Sequence, residues 1–188
     1  AVLMVGCAPR RAAELTARGL RDATSTSEQL SAALEPRRIA VLVGVDAYQH
    51  PSFPDLRFAG EDARAMAELL GSPDGGGFDR VILLNEATLT SRAAVLRELR
   101  SVREDLQRQD VFLLYFSGHG TLALDAEGGG ELYLLPSDAS PADLPTTALE
   151  LEGLRDFLSG LRAERKALVV DACFHGDGKS VLDPGIDP

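Results

Sequence analysis

Tryptophan is absent, and aromatic residues make up only 5% of the 188 positions. A platform for unpaired bases is built on exposed aromatic rings, so this composition does not suggest nucleic-acid binding. Positive charge is also scarce. Nineteen Lys and Arg residues face 29 Asp and Glu, for a formal net charge of −10. Such a surface repels nucleic acid and anionic lipid and draws cationic peptides through long-range attraction. There are two cysteines, Cys7 and Cys173, in unrelated contexts, so a structural disulfide is not expected. No CxxC pair or Cys/His cluster has the spacing of a zinc site. The apolar run at residues 1–6 is too short to span a bilayer. No GxGxxG follows the first apolar strand, and the glycine run Gly75-Gly-Gly77 follows a helix. A dinucleotide-binding α/β domain would therefore lack its phosphate loop.

What is present is an ordinary globular balance, 45% apolar and 26% charged. The length suits one α/β domain with a real core and a short appendage. The appendage is residues 1–36, read as a tether. Its start, Leu3-Met4-Val5-Gly6-Cys7, loosely resembles the site where bacterial lipoproteins are cleaved and lipidated on Cys. Cys7 is then a membrane anchor left by a clipped signal, and the location is the bacterial cell envelope. Without lipidation the location is cytoplasmic. Pro36 marks the boundary, because proline disfavours helix in the residue before it. A domain over 37–180 and a flexible Pro/Gly-rich tail over 181–188 complete the chain.

Within the domain, residues 39–45 form a continuous apolar run, the pattern of a strand buried on both faces. A loop with two prolines spans 46–58. Residues 59–70 place Ala63, Met66, Ala67 and Leu70 on one helical face. Residues 81–84 read as a second strand. Thr90 is positioned to cap a helix over 91–107 that buries Val95, Leu99, Val102 and Leu106. Strands are predicted at 111–116, 132–135 and 167–170, with a helix over 150–161. Alternation of this kind predicts a mostly parallel sheet covered on both faces. Ligand sites in such sheets lie outside the carboxyl ends of the strands. Three strands end there in polar or reactive residues: Asp46, then Ser117-Gly-His-Gly120, then Asp171-Ala-Cys-Phe-His-Gly176.

His119 and Cys173 are the strongest pair. A cysteine nucleophile acts as its thiolate, and a nearby imidazole supplies the charge partner and proton relay. Gly120 and Gly176 allow a substrate close to the backbone. A lone strand-end Cys is more often packing than chemistry, but two matched residues on one sheet edge reverse that expectation.

Tyr115-Phe-Ser-Gly-His-Gly120 and Asp171-Ala-Cys173, with the apolar strand over 39–45 and Gly60-Glu-Asp-Ala63, resemble the caspase and metacaspase superfamily. The resemblance covers about residues 37–180. The motif His and Cys lie 54 positions apart, near the spacing of about 50 seen in caspases. The pattern is closer to bacterial metacaspase-like proteins than to animal caspases. It implies a caspase-like three-layer α/β sandwich of the large-subunit type. It also implies a cysteine endopeptidase in which Cys173 attacks the scissile carbonyl and His119 shuttles protons. The backbone N–H groups of Gly120 and Cys173 then hold the oxyanion. Asp62 and Asp171 match the acidic pocket of metacaspases, so a peptide or protein substrate with Arg or Lys at P1 is expected. Animal caspases carry an Arg where Phe58 stands here, and Arg57 is one position out of register.

The resemblance also has departures. His175 replaces the usual Ser two residues after the nucleophile and reads as an exposed loop substitution. His50 reads as surface, with a chance of lining the cleft. The family's later small-subunit-like strands are missing from this sequence. They are expected on a partner or a further segment, and poor activity is expected without them. No cofactor is implied beyond a weak calcium candidate at Asp138, with Glu150 and Glu152 nearby and Ser180 where another Asp is usual. The alternative function is a catalytically silent caspase-like scaffold or regulatory module.

Overall fold

The computed structural model describes residues 35–124 and 130–173. Cys7, His175, Gly176 and Ser180 lie outside them. The main sheet has four parallel strands, ordered across the sheet as the second, first, third and seventh strands of the chain. Its members are β1 (Arg38–Gly44), β2 (Arg80–Leu84), β3 (Val111–Ser117) and β7 (Arg165–Asp171). Helices α1 (Ala59–Gly71), α2 (Arg92–Asp105) and α4 (Leu151–Ser159) cover it. Successive side chains of a strand point to opposite faces, and β1 shows the consequence. Ile39, Val41 and Val43 pack with Val95, Leu99 and Val102 of α2 and Leu154 and Leu158 of α4. Ala40 and Leu42 pack with Ala63, Met66 and Leu70 of α1. Three layers result, as expected for a caspase-like sandwich. At the sheet edge β7 has no neighbour on its outer side among the described residues, and Val169 is 42% exposed.

Two expectations shift. Residues 132–135 do not join the main sheet. They fall in β5 (Gly130–Leu134), which pairs antiparallel with β4 (Gly120–Leu124) and β6 (Leu149–Glu150). The reason is chain length: only residues 125–129 separate β4 from β5, and parallel strands need a crossover of a dozen residues or more. A short helix, α3 (Leu144–Thr147), precedes β6. The cap of α2 also moves by one residue. The Ser91 hydroxyl accepts from the Ala94 N–H, whereas buried Thr90 donates its hydroxyl back to the Glu86 carbonyl at 3.2 Å.

Asp110, just before β3, is fully buried. Its oxygens accept from the Arg37 N–H at 3.0 Å, the Gln107 N–H at 2.9 Å and Arg37 Nη2 at 2.7 Å. Burial alone would raise its pKa. The hydrogen bonds from the Arg37 side chain and the two backbone N–H groups outweigh it and hold the carboxyl below its ordinary value. Asp110→Asn turns an NH2 toward these donors and should cost about 2 kcal/mol of stability, read from the urea midpoint. A depressed carboxylate contributes stability that is present above the unfolded pKa and lost as pH falls through the folded one. The gap between the two proteins should therefore close as pH drops below 3.8.

Candidate active site

Register brings the candidate residues together. Ser117 at the end of β3 pairs with Asp171 at the end of β7, and the Gly118 N–H donates to the Asp171 carbonyl at 3.3 Å. His119 and Cys173 each stand two residues past that shared line. Both line one cleft of about 430 Å³, together with Asp62, Asp171, Gly120 and Arg57. Cys173 is an exposed free thiol. Asp62 enters from the first turn of α1.

His119 is held at three points. Its N–H donates to the Tyr48 hydroxyl at 2.9 Å. Its carbonyl accepts from the Leu135 N–H at 2.9 Å. Its Nε2 lies 2.8 Å from the Pro54 carbonyl. A carbonyl only accepts, so Nε2 carries the hydrogen, and neutral His119 keeps its lone pair on Nδ1. The Tyr48 ring lies 4.9 Å from the imidazole. Burial pushes the Tyr48 phenol up; the His119 N–H opposes this and Asp46 and Asp55 reinforce it. Tyr48 is thus a neutral phenol throughout the working pH range. Gly118 fits this packing closely: a Cβ there would sit 3.1 Å from the Tyr48 hydroxyl and 3.0 Å from the Phe116 ring, so these side chains would have to give by a few tenths of an ångström. Neither Tyr48 nor the Pro54 carbonyl had a sequence signal. They belong to the loop after β1, whose path no periodicity encodes.

The Leu135 bond also fixes the hydrogen-bonding state of Gly120. It makes Gly120 and Leu134 a non-hydrogen-bonded pair of the β4–β5 ladder. The Gly120 N–H is therefore not used by β5. It starts β4 beside the cleft, which Gly120 also lines.

Asp171 accepts a long hydrogen bond, 3.5 Å, from the Tyr115 hydroxyl. Burial raises the Tyr115 pKa; the hydrogen bond with Ser117 lowers it, and nearby Asp171 and Asp62 raise it further. Both carboxylates are exposed, so the acidic pocket is more open than the sequence suggested. Arg57 lines it as well, and Phe58 beside it is 62% exposed. Two carboxylates against one guanidinium leave the cleft net acidic.

Other candidates serve the scaffold. Asp46 accepts from the Gly60 N–H at 2.9 Å and so docks the start of α1. His50 lies outside the cleft lining; its Nδ1 accepts from the Ser52 N–H at 3.2 Å, and its ring packs near Phe53. Asp138 accepts from the Arg92 N–H at 2.7 Å at the start of α2, and Glu152 pairs with Arg155. Among the described residues no three His, Cys, Asp or Glu side chains converge as a metal site. No helix among them is long and apolar enough to cross a membrane.

An α/β domain with an imidazole and a thiol at adjacent parallel strand ends has the layout of a cysteine-peptidase-like fold. The chain belongs to the caspase-domain family, whose model matches residues 37–186. A crystal structure of a protein from Geobacter sulfurreducens is similar, with a TM-score of 0.57 and 21% identity. The match covers 77% of this chain and 52% of that one, so this chain spans about half the length of that relative. No curated protein matches the chain in sequence.

Proposed function

We propose that the domain is a cysteine endopeptidase that cleaves after Arg or Lys. The observation that carries this reading is the single cleft lined by His119, Cys173, Asp62 and Asp171. Cys173 Sγ attacks the scissile carbonyl carbon while its proton passes to His119 Nδ1. The carbonyl oxygen becomes an oxyanion near the N–H groups of Gly120 and Cys173. Collapse breaks the C–N bond, and His119 returns the proton to the departing amine. Water then attacks the thioester, giving its proton to His119, and the carboxylic acid and free Cys173 thiol are released.

The direct test is labelling of the full chain by matched peptidyl electrophiles with Arg or Asp at P1, followed by mass mapping. Modification of Cys173 by the Arg reagent is expected. No labelling by either reagent would favour the silent-scaffold alternative.

Tyr48 is a positioning residue in this scheme, because it anchors the His119 backbone and not the substrate. Tyr48→Phe leaves the His119 N–H without its partner. It should lower kcat about tenfold, in line with the loss of one buried hydrogen bond, with KM nearly constant and the His119 amide resonance displaced. An unchanged resonance together with a fall carried by KM would remove this role.

A further inference from the structure

Beyond P1, the substrate needs a place for the chain on the leaving side of the scissile bond. The open edge of β4 meets that need. β4 is the outer strand of the small sheet, whose order is β4-β5-β6. Because Gly120 pairs with Leu134 outside the hydrogen-bonded set, the ladder alternates from there. Thr121 and Ala123 spend their backbone groups on β5. Gly120, Leu122 and Leu124 turn theirs to the open edge, and no described residue takes them.

Edge strands are normally blunted by Lys, Pro, a bulge or a covering segment. β4 reads Gly-Thr-Leu-Ala-Leu, with no charge, and Leu124 is 51% exposed. Beside it runs a groove of about 240 Å³ flanked by Phe53, Leu122, Leu124, Pro141 and Leu144. This groove shares Thr121 with the catalytic cleft, so the two adjoin there.

We propose that the primed half of an extended peptide substrate adds to β4 as a parallel strand, with apolar side chains in the Phe53–Leu144 groove. Direction follows from the chemistry. The leaving nitrogen must lie within reach of His119, and β4 begins at the next residue. Primed residues therefore start at the Gly120 end and run away from the cleft as β4 does. Five residues of strand span about 16 Å, enough for about four substrate residues. Main-chain pairing supplies affinity, and alternate pockets supply selectivity. The proposal rests on the peptidase reading for the identity of the occupant.

The test uses binding, so it does not depend on turnover. The full chain carrying Cys173→Ala is titrated with fluorescein-labelled Ala-Leu-Arg-Ala-Leu-Ala-Leu-amide. Amide exchange of β4 is followed by NMR, and single N-methyl groups are scanned over the residues after Arg. Slowed exchange of Leu122 and Leu124, with Thr121 and Ala123 unchanged, is expected. N-methylation should weaken binding about tenfold at alternate positions only, as loss of a strand hydrogen bond does. Uniform or absent N-methyl effects, protection away from β4, or no saturable binding at millimolar peptide would overturn the proposal. So would β4 protection that rises with protein concentration in the absence of peptide, which would assign the edge to a second copy. A wild-type chain that binds in this way yet never cleaves would sink the endopeptidase reading and leave the β4 site standing.

Discussion

Cys173→Ala is expected to lower peptide-amide turnover by at least about 10⁴-fold, the scale on which loss of a catalytic nucleophile is felt. Labelling by a peptidyl electrophile should vanish with it. Among the described residues Cys173 is the only thiol that lines the cleft, and it is exposed and free. It follows the Ser117–Asp171 pair that ends the β3–β7 ladder by two residues, as His119 does on the other strand. The variant should keep the far-UV signature and urea midpoint of the parent, because an exposed thiol contributes little to packing. His119→Ala should cost a similar factor, since the two groups act as a unit and their losses are not additive. The measurement is steady-state turnover of Arg-amide substrates by the active parent and the variants. Retained turnover in purified Cys173→Ala would remove the nucleophile assignment.

The second expectation is a preference of at least about 10³-fold in kcat/KM for Arg over Asp at P1, because like-charge juxtaposition costs several kcal/mol. Asp62 and Asp171 line the cleft and leave it net acidic despite Arg57. Their exposure moderates each single contribution. Asp171→Ala should lower kcat/KM for Arg substrates about 30-fold, near the lower end for truncating one partner of a charge pair. Arg57→Ala should move kcat/KM the other way for Arg substrates, by about threefold, as an exposed cation does. A fluorogenic panel with Arg, Lys, Ala and Asp at P1 reads all of these. A preference for Asp, or Arg turnover indifferent to Asp171→Ala, would overturn the acidic pocket while leaving the dyad untouched.

The parallel sheet was legible because its signals are local. Residues 39–45 are apolar without alternation, as a strand covered on both faces must be, and β1 is buried from Ile39 onward. The α2 stripe of Val95, Leu99 and Val102 is buried as its spacing predicts. The antiparallel sheet was misread because a short apolar strand carries no mark of the sheet it joins. Residues 120–124 do not alternate cleanly, so β4 had no period-2 signature. The same ambiguity hid its open edge. Thr90 and Ser91 are both good caps by type, and only the turn at Glu86 decides between them.

The sequence by itself determined the identities at the strand ends: a histidine after β3, a cysteine after β7, and carboxylates at Asp62 and Asp171. Residue order and strand periodicity suffice for that, because each is a property of a short segment. Only the tertiary structure decided that β7 lies beside β3 in the register that pairs Ser117 with Asp171, and that His119 and Cys173 line one cleft. It also decided that Tyr48 and the Pro54 carbonyl hold the imidazole, that Asp138 and Asp46 serve helix starts, and that β4, among the described residues, is paired along one edge only. Strand order and register arise from packing between segments far apart in the chain. The partners of a loop carbonyl or a phenol exist only once those segments meet.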